Sequence, residues 1–507
     1  MASALSAHQN RNSQMDAPKA SNSNSDLIIS RRANDPLSLE LEETEKELTR
    51  VHDHLNQLIE KRSLLKQKLN DRHSSILRIP DEIFLEIFMH CFPPHFNSLT
   101  TVGKVQVTPF QLGHICRRWR NIVWSAPKIW SVVTLDVCFH TNIPLVVEWL
   151  ERSDKQPLSI CIMWNPFSPD GERYAGRADP AGQALSFSNL TDTLGRYAQR
   201  WHTVDFRIPE ESYDSPNFLH CLHDCHFPIL TSFSLHDLES RVVGMLDIPY
   251  IMFQHAPLLR EIRLSNCMLT RYIFPMNQMT HITLRKATLH EIIAVFTSCP
   301  LLTHCTVIDL IKRLANGRHS VVAPCLKSLT LDSCHGVPEL LNHLKAPSLL
   351  ELAVATRQST LAFSNIISLV TRSSCVLERL SLSGSHIPGI QLKDITPYFT
   401  YLTELSLSSP ALCNEFIHLL EPFPMAHLGS SECLLPKLQI FEYGGNLDIH
   451  SLDVKSVLLS RWKQSREGNI ALLRRVTLHN LTRKLNTPAL SHHPQRIAEG
   501  MYLSIKS

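Results

Sequence analysis

Large apolar residues fall at Leu41, Leu48, Val51, Leu55, Leu58, Leu65 and Leu69, with charged residues between them and no glycine or proline from Leu37 to Ile79. That 3.5-residue spacing places them on one stripe of a long helix, over residues 37–73, with Thr44 and Arg62 interrupting the seam. Two arrangements suit the stripe: a coiled-coil or helical-hairpin partner, or a solvated helix packed on its own domain. Before it, residues 1–36 are rich in Ser, Asn, Ala and Gln and hold almost no large apolar groups. Such a segment buries too little surface to offset its ordering entropy, so a disordered tail is expected.

The pattern then changes to ILRIPDEIFLEIFMHC, residues 76–91. Pro80 suits a first helical turn, and Asp81 and Glu82 favour the positive end of the helix dipole. Ile83, Ile87 and Cys91 share a face, with Phe84 and Phe88 beside it, so this short helix is apolar over more than an ordinary surface stripe. Phe92-Pro93-Pro94 ends it, and the loop HFNSLTTVGKVQV leads to a second helical stretch, TPFQLGHICRRWRNIVWS. There Thr108 is the expected N-cap and Pro109 the first helical residue. Ala126-Pro127 breaks that stretch, and KIWSVVTLDV leads out as a strand.

Three pieces in this region resemble an F-box. Ile79-Pro80-Asp81-Glu82-Ile83 stands where that family has Leu-Pro-x-Glu followed by apolar pairs. Ile115-Cys116-Arg117-Arg118-Trp119 matches its Val-Cys-Arg-x-Trp signature, and Pro127-Lys128-Ile129-Trp130 its closing Pro-x-x-Trp. The departures are Ile79 for Leu and a longer connection between the first two pieces; variants of this kind, preceded by a heptad helix, are similar to large fungal groups. The resemblance covers about a tenth of the chain, residues 76–131. It implies docking onto a Skp1-type adaptor of a cullin-based (SCF) ubiquitin ligase, in which the chain is a non-catalytic subunit. A three-helix unit of this size is too small to hide all these side chains, and its residual apolar surface suits a partner's groove. Ile79, Pro80, Ile83, Ile87 and Phe88 are expected to face the adaptor. Ile115, Trp119 and Trp130 are placed at the same surface, with Trp119 and Trp130 serving as anchors or as core. The competing arrangement makes all of them the core of a self-sufficient helical domain.

Further along, the template L-x-x-L-x-L recurs: Trp201-x-x-Val204-x-Phe206, Leu230-x-x-Phe233-x-Leu235, Leu259-x-x-Ile262-x-Leu264 and Met279-x-x-Ile282-x-Leu284. It continues through Leu302, Leu326, Leu349, Leu377 and Leu402 to weaker copies at Leu438 and Leu473. From Leu235 to Leu407 the last template positions lie 29, 20, 23, 24, 23, 28 and 25 residues apart. This period resembles the leucine-rich repeat, one short strand and one helical or irregular return per unit. HEIIAVFTSC, VPELLNHLK, FSNIISLVTRS and NEFIHLLEPF are the expected returns. The asparagine that such repeats carry after the strand is clear only at Asn266. The competing fold is an α/β domain with a single sheet. In a repeat array the x positions point outward to bind a partner, here Arg263, Thr283, Thr306, Thr330, Ala353, Ser381 and Ser406. These are mostly small and polar and favour a protein or peptide over a phosphate backbone.

Composition narrows the function classes. The 507 residues carry a net charge of +3, too mild to argue for nucleic acid or an anionic membrane. No secretory leader and no apolar run long enough to span a bilayer occur in the sequence, so a cytoplasmic or nuclear location is expected. The 14 cysteines are scattered singly, as reduced buried thiols would be. No phosphate-cradling loop, nucleophile elbow or metalloprotease motif occurs, so neither an enzyme nor a cofactor is expected. The dense cluster His220, Cys221, His223, Asp224, Cys225 and His226 lacks the second ligand pair that a zinc site wants, and reads as a His-rich exposed turn.

The expected architecture is therefore an irregular, leucine-rich-repeat-like α/β solenoid over 196–490, with 132–195 as linker or first irregular repeat and 491–507 as a tail. A small all-α F-box and the heptad helix precede it. Its expected role is to recruit a protein target to the ligase. The alternative is a non-degradative scaffold that binds the adaptor or self-associates through 37–73.

Overall fold

The structure, a computed structural model, describes residues 36–73, 75–91, 108–137, 142–164, 189–208, 222, 224–237, 251–253, 255–266, 269, 272–311, 320–356, 363–384, 398–409, 435–445, 454–466, 470–480, 495–498 and 501–506. Of the tail expected over 1–36 all but Pro36, which opens a helix, lies outside the described residues, as do the 92–107 connection and the NEFIHLLEPF return. The chain divides into two compact units, Met1–Phe84 and Leu85–Ser507.

In the first unit, helix α1 is continuous over Pro36–His73, and every side chain described between Pro36 and Leu69 is exposed. Lys46 pairs with Glu42 one turn earlier at 2.6 Å, and Arg50 with Glu47 at 3.3 Å. The Lys46 contact lowers the Glu42 pKa and raises that of Lys46, chiefly through their hydrogen bond. A 3₁₀ turn, Ser75–Arg78, follows. Helix α2 is Asp81–Cys91. Pro80 stands just before it, its carbonyl accepting from the Phe84 N–H at 3.1 Å. The proline therefore occupies the cap and not the first turn.

The second unit begins inside α2, at Leu85, and continues with three short helices, α3 (Pro109–Ile115), α4 (Arg117–Trp124) and α5 (Pro127–Trp130). Thr108 caps α3 through a reciprocal box: its hydroxyl accepts from Gln111 N–H at 3.3 Å, and the Gln111 side chain accepts from Thr108 N–H at 2.8 Å. Where the sequence pattern suggests one helix, the chain breaks at Cys116, which is extended (φ −157°, ψ 167°), and its sulfur accepts from Trp119 N–H at 3.4 Å. Gly113 is required here, because a Cβ would collide with the Trp124 ring.

These helices share a core with α6 (Ile143–Arg152). Trp130 donates its indole N–H to Val123 O at 2.7 Å, and Trp149 donates to Trp130 O at 3.0 Å. Phe110 meets Trp124, Trp130 and Trp149 edge-on, with ring centroids 5.1–6.2 Å apart. Arg152, held to Glu148 at 2.7 Å, lies over Trp124 and Trp130. Edge-to-face packing with both indole N–H groups satisfied is worth more than area burial alone.

The rest is an α/β arrangement on one 15-stranded sheet, parallel except at its last pair. The described strands run β1 Val132–Val137, β2 Leu158–Trp164, β3 Trp201–Ile208, β4 Ser232–Asp237, β5 Ile251–Met252, β6 Glu261–Ser265, β7 Tyr272–Ile273, β8 His281–Arg285, β9 His304–Ile308 and β10 Val321–Val322. They continue as β11 Ser328–Asp332, β12 Leu344–Lys345, β13 Glu351–Thr356, β14 Arg379–Gly384, β15 Glu404–Ser408, β16 Ile440–Gly445, β17 Arg475–Asn480, β18 Gln495–Ala498 and β19 Met501–Lys506. β5–β7 and β10–β12 form separate two-stranded ladders on the return segments. The large sheet already begins at β1 and β2, so 132–195 supplies its first strands. At the other end, β19 joins β17 in parallel and β18 pairs antiparallel along its far side, where a tail was expected. A reversed last strand ends a parallel array without offering the same edge for another unit to extend.

The template apolar residues align across strands. Ile262, Ile282, Cys305, Leu329, Leu352, Leu380, Leu405 and Phe441 are successive register partners, as are Leu264, Leu284, Val307, Leu331, Val354, Leu382, Leu407 and Tyr443. All of these are buried. The returns between strands include α7 (Leu289–Ser298), α8 (Val337–His343) and α9 (Phe363–Ser373), with α10 (Val454–Arg466) nearer the C-terminus. The backbone repeats as well. Thr303 O accepts from Lys327 and Ser328, Lys327 O from Leu350 and Glu351, Leu350 O from Glu378 and Arg379, and Glu378 O from Thr403 and Glu404, at 2.8–3.0 Å.

After four strands the next residue is left-handed: Asn266, Lys286, Asp309 and Ser333, with φ from 55° to 62°. The turn geometry is thus common to all four although asparagine occurs once, because the conformation favours Asn and Asp without excluding others. Arginines close helix ends: Arg200 donates to Gln156 O and Ser153 Oγ near the end of α6, and Arg372 to Leu341 O and Leu344 O at the end of α8. Such contacts satisfy carbonyls that a helix end leaves open.

Candidate functional site

Two surfaces carry the residues singled out from the sequence. On α2, Ile83 and Ile87 lie one turn apart and remain 52% and 46% exposed, whereas Phe84 and Phe88 are 1% exposed. Pro80 is exposed and Ile79 half-buried. Ile115, closing α3, is also exposed. Phe88 was expected to face a partner and is buried instead, while Trp130, expected as anchor or core, lies in the core. Phe88 packs edge-on to Trp119 with centroids 4.8 Å apart, tying α2 to α4, and Trp130 is fully enclosed among Phe110, Trp124 and Trp149. They are core because a short helix needs its aromatic side chains inward to hold any tertiary position. Trp119 is half-buried.

On the sheet, the six outward residues expected to bind a target fall in one unbroken register row. Arg263 pairs with Thr283, Thr283 with Thr306, Thr306 with Thr330, and beyond Ala353 come Ser381 and Ser406. All are half-buried, alternating with the buried apolar positions. The row continues into Ser234 and Asp205 on one side and Glu442 and Thr477 on the other. From β8 to β15 it is a strip of hydroxyl and methyl groups without charge.

Besides Asp205, Arg263 and Glu442 in the middle row, charge lies in the flanking rows, two residues before and after it, which the expectation drawn from the middle positions missed. Its signal was present as alternation within a strand at Asp205-x-Arg207 and Glu261-x-Arg263. Asp205 Oδ2 accepts from Arg207 Nη2 at 2.8 Å and Nε at 3.2 Å, with both side chains over nine-tenths buried. His236 Nε2 approaches Asp205 Oδ1 at 3.4 Å. Arg263 pairs with Glu261, Arg285 with Asp309 at 3.4 Å, and Arg379 with Glu351 on the adjacent strand. His281 and His304 stack with ring centroids 4.4 Å apart.

The electrostatics follow from burial. Burial opposes the Arg207 charge, but its hydrogen bond and attraction to Asp205 prevail and raise its pKa. Burial pushes the His236 imidazole below its usual value, with Arg207, Arg263 and Arg285 reinforcing the shift and Asp205 opposing it. Burial and the neighbouring His304 lower His281 as well. Cys161, next to Asp205 in the ladder, is pushed up to about 12 by burial. Cys305 is raised to about 12 in the same way. These thiols are poor nucleophiles at neutral pH.

Of the cysteine- and histidine-rich turn, His220, Cys221 and His223 lie outside the described residues. Cys225 donates to Gly195 O at 3.8 Å, and His226 stacks on His255. Among the described residues no group of three His, Cys, Asp or Glu side chains is placed to hold a metal ion, and no helix is long and apolar enough to cross a membrane. The two surfaces are an apolar helix face and a polar strip flanked by ion pairs. No protein-family model and no curated protein matches this chain.

Proposed function

We propose that the chain is the substrate-recognition subunit of a cullin-based ubiquitin ligase. Its F-box-like helices dock a Skp1-type adaptor, and its strand array, a leucine-rich-repeat-like solenoid in this reading, holds a protein target. The observation that carries the docking half is the exposure of Ile83 and Ile87 beside buried Phe84 and Phe88 on one helix. A helix serving only its own domain gains by turning isoleucine inward, and leaving two half-exposed costs about 1 kcal/mol each relative to full burial. A partner groove recovers that term. The order of the three F-box-like sequence pieces, from Ile79 to Trp130, supports an adaptor of this class as the partner.

The target is held by the row from Arg263 to Ser406. Short hydroxyl-bearing side chains in strand register suit an extended or folded protein surface, while the paired arginines at one end give charge selectivity. The subunit supplies proximity, keeping a target lysine near a ubiquitin-charged enzyme, and contributes no reacting group. Co-precipitation of the full chain with the adaptor and cullin tests this. The wild type brings down both; an Ile83→Asp/Ile87→Asp variant brings down neither. Retention of the adaptor by that variant, or no binding by the wild type, overturns the reading.

A further inference from the structure

Helix α1 presents Leu37, Leu41, Leu48, Val51, Leu55, Leu58, Leu65 and Leu69 to solvent, all on one seam. At roughly 1.5 Å per residue its 38 residues span about 57 Å. A helix of that length gains stability from packing its apolar stripe, and none of its described side chains up to Leu69 is covered. We propose that the stripe is covered by the same helix of a second copy of this chain, and that the two run antiparallel.

The choice of occupant and direction rests on how the sequence matches itself when reversed. In heptad terms Leu41, Leu48, Leu55, Arg62 and Leu69 take one core position, and Leu37, Thr44, Val51, Leu58 and Leu65 the other. Antiparallel helices pair one core set with the other. The register that sets Leu41 against Leu65 of the second copy also sets Leu37 against Leu69, Leu48 against Leu58 and Val51 against Leu55. The same register sets each Thr44 against an Arg62, so the polar interruptions share layers, twice by symmetry. The residues bordering the seam then meet as Glu40 with Lys68 and Glu47 with Lys61, each occurring twice by symmetry.

A parallel dimer reverses this outcome. Arg62 would face Arg62 in the core, Glu40 would border Glu45, and Lys61 would border Lys66. Like charges across a seam select against an arrangement as effectively as opposite charges select for one. The ion pairs present within the helix do not compete strongly. Glu42–Lys46 lies away from the seam, and Glu47 holds Arg50 at 3.3 Å with both side chains mostly exposed, where such a pair contributes little. A carboxylate can also accept from both Arg50 and the second copy's lysine.

Sedimentation equilibrium of the full chain at low salt tests the proposal, with circular dichroism confirming that each variant folds. The wild type is expected to be dimeric, and Leu48→Asp/Leu55→Asp monomeric. Lys61→Glu places Glu47 opposite a glutamate and weakens dimerisation by roughly tenfold. Adding Glu47→Lys to Lys61→Glu returns the affinity to within about threefold of the wild type. A wild type that is monomeric at about 100 µM overturns the proposal, as does a dimer that survives the double aspartate variant. Tighter association by Lys61→Glu would overturn the antiparallel direction, because in a parallel pair that change relieves the Lys61–Lys66 repulsion. Adaptor binding through α2 is a separate readout, and Lys61→Glu leaves it unchanged.

Discussion

The sheet and the two N-terminal helices treat the same kind of side chain in opposite ways. In the strands every leucine of the L-x-x-L-x-L template is buried, unit after unit, from Leu230 to Leu478. On α1 and α2 the leucines and isoleucines of equally regular patterns stand in water. The difference teaches that apolar periodicity predicts which residues share a face but not who covers it. A strand's neighbours are fixed by register and arrive with the next repeat; a helix stripe waits for whatever packs on it. Where no described residue covers it, the stripe is exposed.

Substitutions widen or narrow that contrast. The largest effect is expected at Trp130→Ala, which empties the junction among Phe110, Trp124 and Trp149 and leaves the Val123 carbonyl without its indole donor. A loss of about 3–5 kcal/mol is expected in denaturant unfolding. Leu329→Ala in the middle of the ladder is expected to cost about 2–5 kcal/mol by the same measurement, since Cys305 and Leu352 flank it in register. Arg372→Met removes the donor to Leu341 O and Leu344 O, and about 1–3 kcal/mol is expected, read as a lowered Tm.

A smaller effect comes from pH. The His236 pKa is lowered by burial, so the folded state binds a proton there less readily than the unfolded chain. Its contribution is complete above the ordinary imidazole value of about 6.5 and is lost as pH falls through that value toward the folded one. A Tm series on the wild type should therefore decline on acidification, and His236→Gln should flatten part of that slope. Smallest of all, Thr306→Ala with Thr330→Ala is expected to change stability by less than about 0.5 kcal/mol each while weakening target capture in a pull-down. A large stability loss there would assign the row to the core and not to recognition.

The legibility of the fold follows the same division. Strands with the full template could be read because their leading leucine, buried in the turn before each strand, marks where the unit begins. β1 was read as a strand from VVTLDV, but neither it nor β2, LSICIMW, could be joined to the array, because they carry no such marker at template spacing. β18 and β19 escaped because a reversed terminal strand obeys no repeat. The break at Cys116 has no glycine or proline to announce it; a sulfur acting as cap is weak chemistry to read from sequence. In the candidate site, the middle row was visible as small polar residues. The Asp205–Arg207–His236 cluster joins neighbours two apart on one strand to a third on the next, so only register shows it.

The helix face of α2 carries the central claim, and binding of purified adaptor to the full chain by titration calorimetry tests it most directly. The account predicts that Ile83→Asp/Ile87→Asp abolishes measurable binding while leaving Tm within about 2 °C of the wild type, because exposed positions hold little of the fold. Undiminished adaptor affinity in that variant would contradict it, and so would a large fall in Tm, which would place both isoleucines in a core.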